Sequence, residues 1–217
     1  MFDFKSARDH MIDSQIRTND VTDHDVLNAF KSVARENFVP KSRQNLAYAD
    51  MHIDLGEQRV IMRPRDFSKM VQAADILPSD VVLDIACGRG YSTAILAQLG
   101  ETVVSLETSD EAVEKASNKL IESDVSNVAV VKADLKLGSP ENGPFNVIFV
   151  NGAVSEVPKN WLDQLANNGR LICVVQNGPV GRAVLYKRSG DVIGERILFD
   201  TSLPKLSGFE RQAAFAL

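Results

Sequence analysis

The sequence contains few of the residues that build covalent or metal-stapled folds: two cysteines and three histidines among 217 residues. Cys87 and Cys173 lie far apart and cannot make the disulfide framework of a small secreted domain, and they offer no zinc-cluster spacing. We therefore expect two reduced thiols in a reducing compartment and no bound metal.

Long apolar runs and clusters of basic residues are also missing. No run approaches the ~20 residues that a membrane span needs, and residues 1–15 lack the continuous apolar stretch of a secretory signal. The net charge is −5, without a Lys/Arg-rich segment, which disfavours binding of nucleic acid through its phosphates. These absences predict a cytoplasmic protein that binds neither membranes nor nucleic acid.

The composition, with 44% hydrophobic and 24% charged residues, is typical of a globular protein. The length suits a single domain, 1–217. Residues 1–60 differ from the rest, because 4–17 and 23–34 carry apolar residues at helical spacing and 47–62 has the character of a loop with short extended pieces. We predict a helical and loop extension over 1–60, followed by an α/β core over 61–217.

From residue 80 onward, short apolar runs alternate with helical patterns. Such alternation predicts a parallel sheet with helices on both faces, a Rossmann-like α/β fold. The chain ends differently, with two runs separated by Arg188-Ser189-Gly190-Asp191, which is typical of an antiparallel hairpin. The predicted strands are 81–85, 102–106, 128–132, 145–150, 171–175, 182–187 and 192–199; the predicted helices of the core are 64–75, 92–99, 109–123 and 158–165.

The most informative stretch, residues 82–91, has the sequence VLDIACGRGY. A strand runs into a turn containing Gly88 and Gly90, and the turn opens a helix. Glycines there let the backbone turn sharply and approach a ligand closely. Many doubly wound proteins bind ligands at such a turn, so the glycines alone do not identify the ligand.

Three details favour S-adenosylmethionine (SAM) over a dinucleotide. Asp84, just before the turn, attracts the positive charges of SAM but repels a pyrophosphate. Thr93 stands where the dinucleotide fingerprint has Gly or Ala. Glu107 ends the second strand of the core, 19 residues after Gly88, where a carboxylate accepts ribose hydroxyls. Together they predict a class I SAM-dependent methyltransferase fold.

Asp134 follows the third strand of the core and is a candidate partner for the adenine amino group. Asn151 and Gly152 follow the fourth, where the methyl end of SAM and the substrate are expected to meet. Each acid also has a simpler interpretation: Asp84 and Asp134 as turn or cap residues, and Glu107 as a solvated side chain or local cap. An NAD-dependent oxidoreductase remains a distant alternative.

Ordered motifs over most of the chain carry a family resemblance. They are MIDSQI (11–16), VTD (21–23), VARENFVP (33–40), AYAD (47–50), VSLE (104–107), NV (127–128), PFNVI (144–148), QL (164–165) and GRL (169–171). The chain resembles the protein-L-isoaspartate (D-aspartate) O-methyltransferases. The resemblance implies methyl transfer from SAM to the isoaspartyl carboxylate of a damaged protein, and a monomer.

The implied chemistry fits the scarcity of catalytic candidates, and we assign no catalytic residue. A carboxylate is already ionised at pH 7, so no general base is required. Alignment of nucleophile, methyl and sulfur is sufficient. The predicted cofactor-binding residues are Asp84, Ala86, Gly88, Gly90, Glu107, Asp134 and Asn151, with Ala86 in place of a family glycine.

The resemblance places the family's substrate loop at residues 58–64 (QRVIMRP). This loop departs from the family pattern Gly-Gln-Thr-Ile-Ser-x-Pro. Here Met62 occupies the hydroxyl position, Gln58 that of Gly and Val60 that of Thr. Losing one such hydroxyl costs on the order of 3 kcal/mol, about a hundredfold in rate. A SAM-binding protein without isoaspartyl activity, or a methyltransferase with another substrate, is therefore an alternative.

Three arginines, Arg59, Arg63 and Arg65, crowd the same loop. They form either a solvated basic surface or a site that attracts an anionic substrate. Asn146 replaces a family acid, with no consequence that the sequence reveals.

Overall fold

The computed structural model describes residues 2–210. Its helices are α1 (Phe4–Met11), α2 (His24–Ser32), α3 (Pro64–Ala74), α4 (Tyr91–Ala97), α5 (Asp110–Glu122) and α6 (Lys159–Asp163). Its strands are β1 (Ile53–Gly56), β2 (Arg59–Ile61), β3 (Val81–Ile85), β4 (Thr102–Glu107), β5 (Val128–Lys132), β6 (Phe145–Val154), β7 (Leu165–Val175), β8 (Arg182–Ser189) and β9 (Val192–Asp200). Short π-helical and 3₁₀ turns follow α1 and α2.

The central sheet has seven strands in the order β5-β4-β3-β6-β7-β8-β9. The first five are parallel to one another, and β8 and β9 pair antiparallel. This confirms the predicted parallel sheet and its terminal hairpin. Strands β1 and β2 form a separate antiparallel hairpin within 47–62, where the sequence predicts a loop with short extended pieces.

Apolar side chains on the two faces of the sheet enter two separate cores. In β3, Val82 belongs to one core, while its neighbours Leu83 and Ile85 belong to the other, as the alternation of strand side chains requires. Helices α3 and α4 cover the first face, and Trp161 of α6 is fully buried on the second. The prediction of helices on both faces is confirmed.

Helix starts follow local sequence rules. The Asp23 side chain accepts hydrogen bonds from the backbone N–H groups of Asp25 and Val26 and caps α2. Ser109 caps α5 by accepting from Ala112, and Pro64 is the first residue of α3, where its missing N–H costs nothing. Local chemistry therefore determines where α3, which follows the substrate loop, and α5, which follows β4, begin.

Strand β6 runs four residues past its predicted end at 150. The continuation pairs with a later segment: Ala153 N–H donates to Pro204 O, and Leu206 N–H donates to Ala153 O. Gly152 permits this approach, since a Cβ there would lie 2.5 Å from the Leu206 side chain. Strand β7 likewise begins at Leu165, six residues before its predicted start, and α6 is shorter than predicted.

The N-terminal segment packs on the first face of the sheet. Ile16, Phe30 and Phe38 are fully buried in the same core as Val82 and Phe149. The division of a single domain at residue 60 stays a prediction. Within residues 2–210, no helix is both long and apolar enough to cross a membrane.

Candidate cofactor and substrate site

An open cleft lies beyond the carboxyl ends of β3 and β4. Its volume is about 620 Å³, within the usual range for small-molecule sites. The β1–β2 hairpin forms one wall, and the turn after β3 and the start of α5 form the others. A second cleft of about 690 Å³ adjoins it and shares Thr108, Leu135 and Ser207. The position is the one where open α/β sheets bind ligands.

The turn between β3 and α4 approaches its neighbours closely. Gly88 and Gly90 have left-handed backbones, with φ of 64° and 89°, and a Cβ on Gly88 would lie 3.0 Å from the Leu55 side chain. Ala86 is also left-handed, with φ of 67°. Because a Cβ is disfavoured in that region, Ala86 carries backbone strain that a glycine does not.

Glu107, the last residue of β4, places its carboxylate at the wall of the cleft. Its side chain is only 3% exposed. Oε1 accepts a hydrogen bond of 2.6 Å from Gly88 N–H, and Oε2 accepts one of 3.3 Å from Thr108 N–H. The Arg59 guanidinium also donates to Oε1. The strand-end acid is thus positioned by the glycine turn and by the hairpin.

Asp84 is fully buried beneath the turn and bonds to three hydrogen-bond donors. Its Oδ2 accepts from Ser92 Oγ (2.8 Å) and Thr93 Oγ1 (2.7 Å), and its Oδ1 accepts from Asn151 Nδ2 (2.6 Å). Burial raises the pKa of this carboxyl to about 6, although the three donors oppose the rise. The carboxyl therefore joins β3, α4 and β6; its direct attraction for SAM stays a prediction.

Asn151 lies inside β6 and donates a second hydrogen bond, of 3.2 Å, to Ile85 O. Asp134 is exposed beside the second cleft, where its Oδ1 accepts from Lys136 N–H at 2.9 Å. The structure therefore brings six of the seven predicted residues to the edge of β3, β4 and β6. It places Asp134 in the adjoining cleft.

The buried side chain of Arg35 donates hydrogen bonds that fix the main chain of the substrate loop. Arg35 is fully buried, and its Nε and Nη2 donate to Ala47 O (2.6 Å) and Met62 O (2.7 Å). The Met62 side chain is itself buried, 3% exposed. It lines a small void that Cys87 and Asn151 also line.

All three loop arginines pair with acids of the protein itself, Arg65 Nε lying 3.9 Å from Asp66 Oδ1. A freely solvated basic surface is wrong for Arg59 and Arg63, whose contacts are hydrogen bonds. Arg59 is 15% exposed and pairs with Glu107. Arg63 Nε donates to Asp66 Oδ2 at 2.7 Å. Sequence spacing gives no signal for the first pair, because its members lie 48 residues apart.

The structure also accounts for Asn146 and for two hydroxyls that the sequence did not single out for the site. Asn146 Oδ1 accepts a hydrogen bond of 2.9 Å from Val81 N–H and thereby ties β6 to the start of β3. Ser92 and Thr93 bond to Asp84, and Thr93 Oγ1 also lies 2.9 Å from Ser105 Oγ. Ser92 and Thr93 lie in the first turn of α4, directly after the glycine turn, and this position in the sequence could have identified them as residues of the site.

Comparison with known proteins agrees with this geometry. The sequence model of the protein-L-isoaspartate(D-aspartate) O-methyltransferase family matches residues 6–199. The chain belongs to this family. The protein-L-isoaspartate O-methyltransferase of Protochlamydia amoebophila is 39% identical over 76% of this chain and 79% of its own length. That of Methanoculleus marisnigri is 35% identical over 87% of this chain and 86% of its own.

Solved structures of family proteins share the fold. One protein-L-isoaspartate O-methyltransferase has a TM-score of 0.82 at 27% identity, covering 93% of this chain and 66% of that chain. A Plasmodium falciparum structure, described as a putative protein-L-isoaspartate O-methyltransferase in complex with S-adenosyl-L-homocysteine, has a TM-score of 0.77 at 21% identity, covering 95% of this chain and 99% of that chain. The class I methyltransferase fold is confirmed, and SAM is the cofactor of this isoaspartyl methyltransferase family.

Proposed function

We propose that this protein transfers a methyl group from SAM to the carboxylate of isoaspartyl residues in protein substrates. The observation that carries the proposal is Glu107, a strand-end carboxylate at the cleft wall beside the glycine turn. Membership in the isoaspartyl methyltransferase family supports the same reaction. A monomeric state and a cytoplasmic location stay predictions.

The residues around the cleft fit a nucleoside cofactor. Glu107 would accept a ribose hydroxyl, Gly88 allows close approach of the backbone, and Asp134 would accept from the adenine amino group. Asn151 lies towards the small void beside Met62, where the methyl end is expected. When bound, SAM supplies an electrophilic methyl group on a sulfonium.

The protein needs to contribute orientation rather than proton transfer. An isoaspartyl carboxylate is ionised at neutral pH and is already nucleophilic. The buried network of Asp84 with Ser92, Thr93 and Asn151 fixes the edge of the sheet at which the reaction occurs. Alignment by a rigid site contributes several kcal/mol to such reactions.

A second candidate function rests on Met62. At the family's hydroxyl position stands a buried thioether, which cannot donate a hydrogen bond to a carboxylate. This favours a protein that binds SAM and either methylates another acceptor or does not turn over.

Calorimetry with S-adenosylhomocysteine tests the cofactor site. Glu107→Gln should weaken binding by about 1.5–3 kcal/mol, because a charge-assisted hydrogen bond to the ribose is lost. The control Glu122→Gln removes an acid at the far end of α5, where its one ion pair among residues 2–210 is with Lys119. Equal affinity of Glu107→Gln and wild type would contradict the placement of the cofactor.

Methyl transfer to an isoaspartyl peptide, compared with the matching aspartyl peptide, tests the acceptor. Met62→Ser should raise turnover by on the order of a hundredfold, since it restores the missing donor, whereas Met62→Leu should leave turnover near that of the wild type. Intact cofactor binding without isoaspartyl turnover, in both the wild type and Met62→Ser, would favour a different acceptor.

A further inference from the structure

Arg59 donates to Oε1, one of the two carboxylate oxygens of Glu107, the residue that the proposed function assigns to the ribose. It is the first residue of β2, its side chain is 15% exposed, and it pairs with Glu107, which is 3% exposed. The β1–β2 hairpin that carries Arg59 forms a wall of the same cleft. The ion pair therefore ties this wall to the end of β4 at the place where a nucleoside would lie.

The hydrogen-bonding capacity of Glu107 is nearly exhausted. A carboxylate accepts at about four lone-pair positions, and three are in use. Oε1 accepts from Gly88 N–H and Arg59 Nη2, and Oε2 accepts from Thr108 N–H. A ribose diol presents two hydroxyls, so it can bind Glu107 through both only if Arg59 withdraws.

We propose that Arg59 is a positioning residue that competes with the cofactor's ribose for Glu107, so that cofactor binding opens the ion pair and frees the β1–β2 hairpin. The inference rests on the proposed function, because it requires the nucleoside at Glu107. Glu57 and Glu111 line the same cleft, so a displaced Arg59 guanidinium has other acids within the cleft to bind.

The competition has a consequence for the acceptor. Strand β2 leads directly into Met62, whose side chain lines the small void next to Asn151. Release of Arg59 thus acts on the strand that carries the substrate loop. Cofactor binding would precede the final arrangement of that loop, and the peptide would bind second.

The first test measures the affinity of S-adenosylhomocysteine by calorimetry. Arg59→Gln should bind about tenfold more tightly than the wild type, which corresponds to about 1.4 kcal/mol. The matched control, Arg43→Gln, removes an equal charge and the other ion pair of the hairpin, Arg43 Nη2 to Asp54 Oδ2 at 3.3 Å, outside the cleft. Its affinity should change by less than about twofold, a difference below 0.5 kcal/mol.

The second test asks whether the affinity gain of Arg59→Gln depends on the ribose diol. A general loosening of the hairpin would not make the gain depend on the diol. Adenosine and 2′,3′-dideoxyadenosine are compared on wild type and Arg59→Gln. In wild type, removing the diol should weaken binding less than it does in the variant, because Arg59 reoccupies Glu107. In Arg59→Gln the same loss should cost about tenfold more, the non-additivity expected of groups that share a partner.

Three results would overturn the inference, and they distinguish its failure from that of the proposed function. Binding of S-adenosylhomocysteine with equal or lower affinity in Arg59→Gln, or strictly additive effects of residue and diol, would refute the competition and leave the cofactor site intact. No binding at millimolar concentration by wild type, Arg59→Gln and Arg43→Gln alike would refute both.

Discussion

Burial of the Asp84 carboxyl should make the stability of the cofactor-free protein depend on pH in an unusual direction. Burial raises its pKa from 3.8 to about 6, so the folded protein holds this proton more tightly than the unfolded chain does. The contribution of Asp84 to stability is fully present below pH 4 and is lost as the pH rises to about 6. At about 1.4 kcal/mol for each pH unit, the loss amounts to about 3 kcal/mol.

The substitution Asp84→Asn removes this titration and preserves the shape of the side chain. Relative to wild type, the free energy of unfolding of the variant should rise by about 3 kcal/mol between pH 4 and pH 7. Changes in hydrogen bonding shift this difference by the same amount at every pH. Urea denaturation followed by the fluorescence of Trp161, the only tryptophan and a fully buried one, measures the difference.

Asp110→Asn is the control, because its pKa shift has the opposite sign. Asp110 is exposed, and its hydrogen bond with Lys132 lowers the pKa of its carboxyl. The stabilisation by Asp110 is therefore lost only as the pH falls below about 4, so Asp110→Asn should show no rise in stability relative to wild type between pH 4 and pH 7. A constant difference between Asp84→Asn and wild type from pH 4 to pH 7 would refute a buried, proton-retaining carboxyl.

Two further predictions concern the backbone. Ala86→Gly should stabilise the protein by about 1 kcal/mol, because it removes a Cβ from a left-handed backbone position, and should raise Tm by about 2–4 °C. The control Ala94→Gly, within α4, should destabilise the protein. A lower Tm for Ala86→Gly would contradict the proposed backbone strain at Ala86. Asn146→Leu should cost about 1–3 kcal/mol, because Val81 N–H loses its acceptor, whereas Asn146→Asp, which retains an acceptor, should cost less; equal urea midpoints for the two variants would count against that bond.

Much of the fold could be predicted because buried parallel strands are continuous apolar runs. Strand β3 spans the predicted residues 81–85, and β4 spans 102–107 where 102–106 was predicted. The terminal hairpin was recognisable from Gly190, which adopts a left-handed backbone with φ of 59° between β8 and β9. In each case the determining information lies within a few neighbouring residues.

The features that were missed depend on distant partners. The extension of β6 to Val154 is stabilised by residues 204–206, about fifty positions later. The ion pair of Arg59 with Glu107 joins a hairpin to the end of a central strand. The burial of Asp84 depends on α4 and β6, which close over its side chain. A single sequence does not encode these pairings in any local pattern.

Arg35 fixes the main chain of the substrate loop without contacting the loop's side chains through these hydrogen bonds. Arg35 binds the carbonyl oxygens of Ala47 and Met62, groups that every amino acid possesses. Exchanges at positions 58, 60 and 62 therefore leave this anchorage intact. Such a loop is free to accumulate substitutions and acquire a new acceptor preference while the scaffold persists, which makes it the natural place to begin redesigning what this protein methylates.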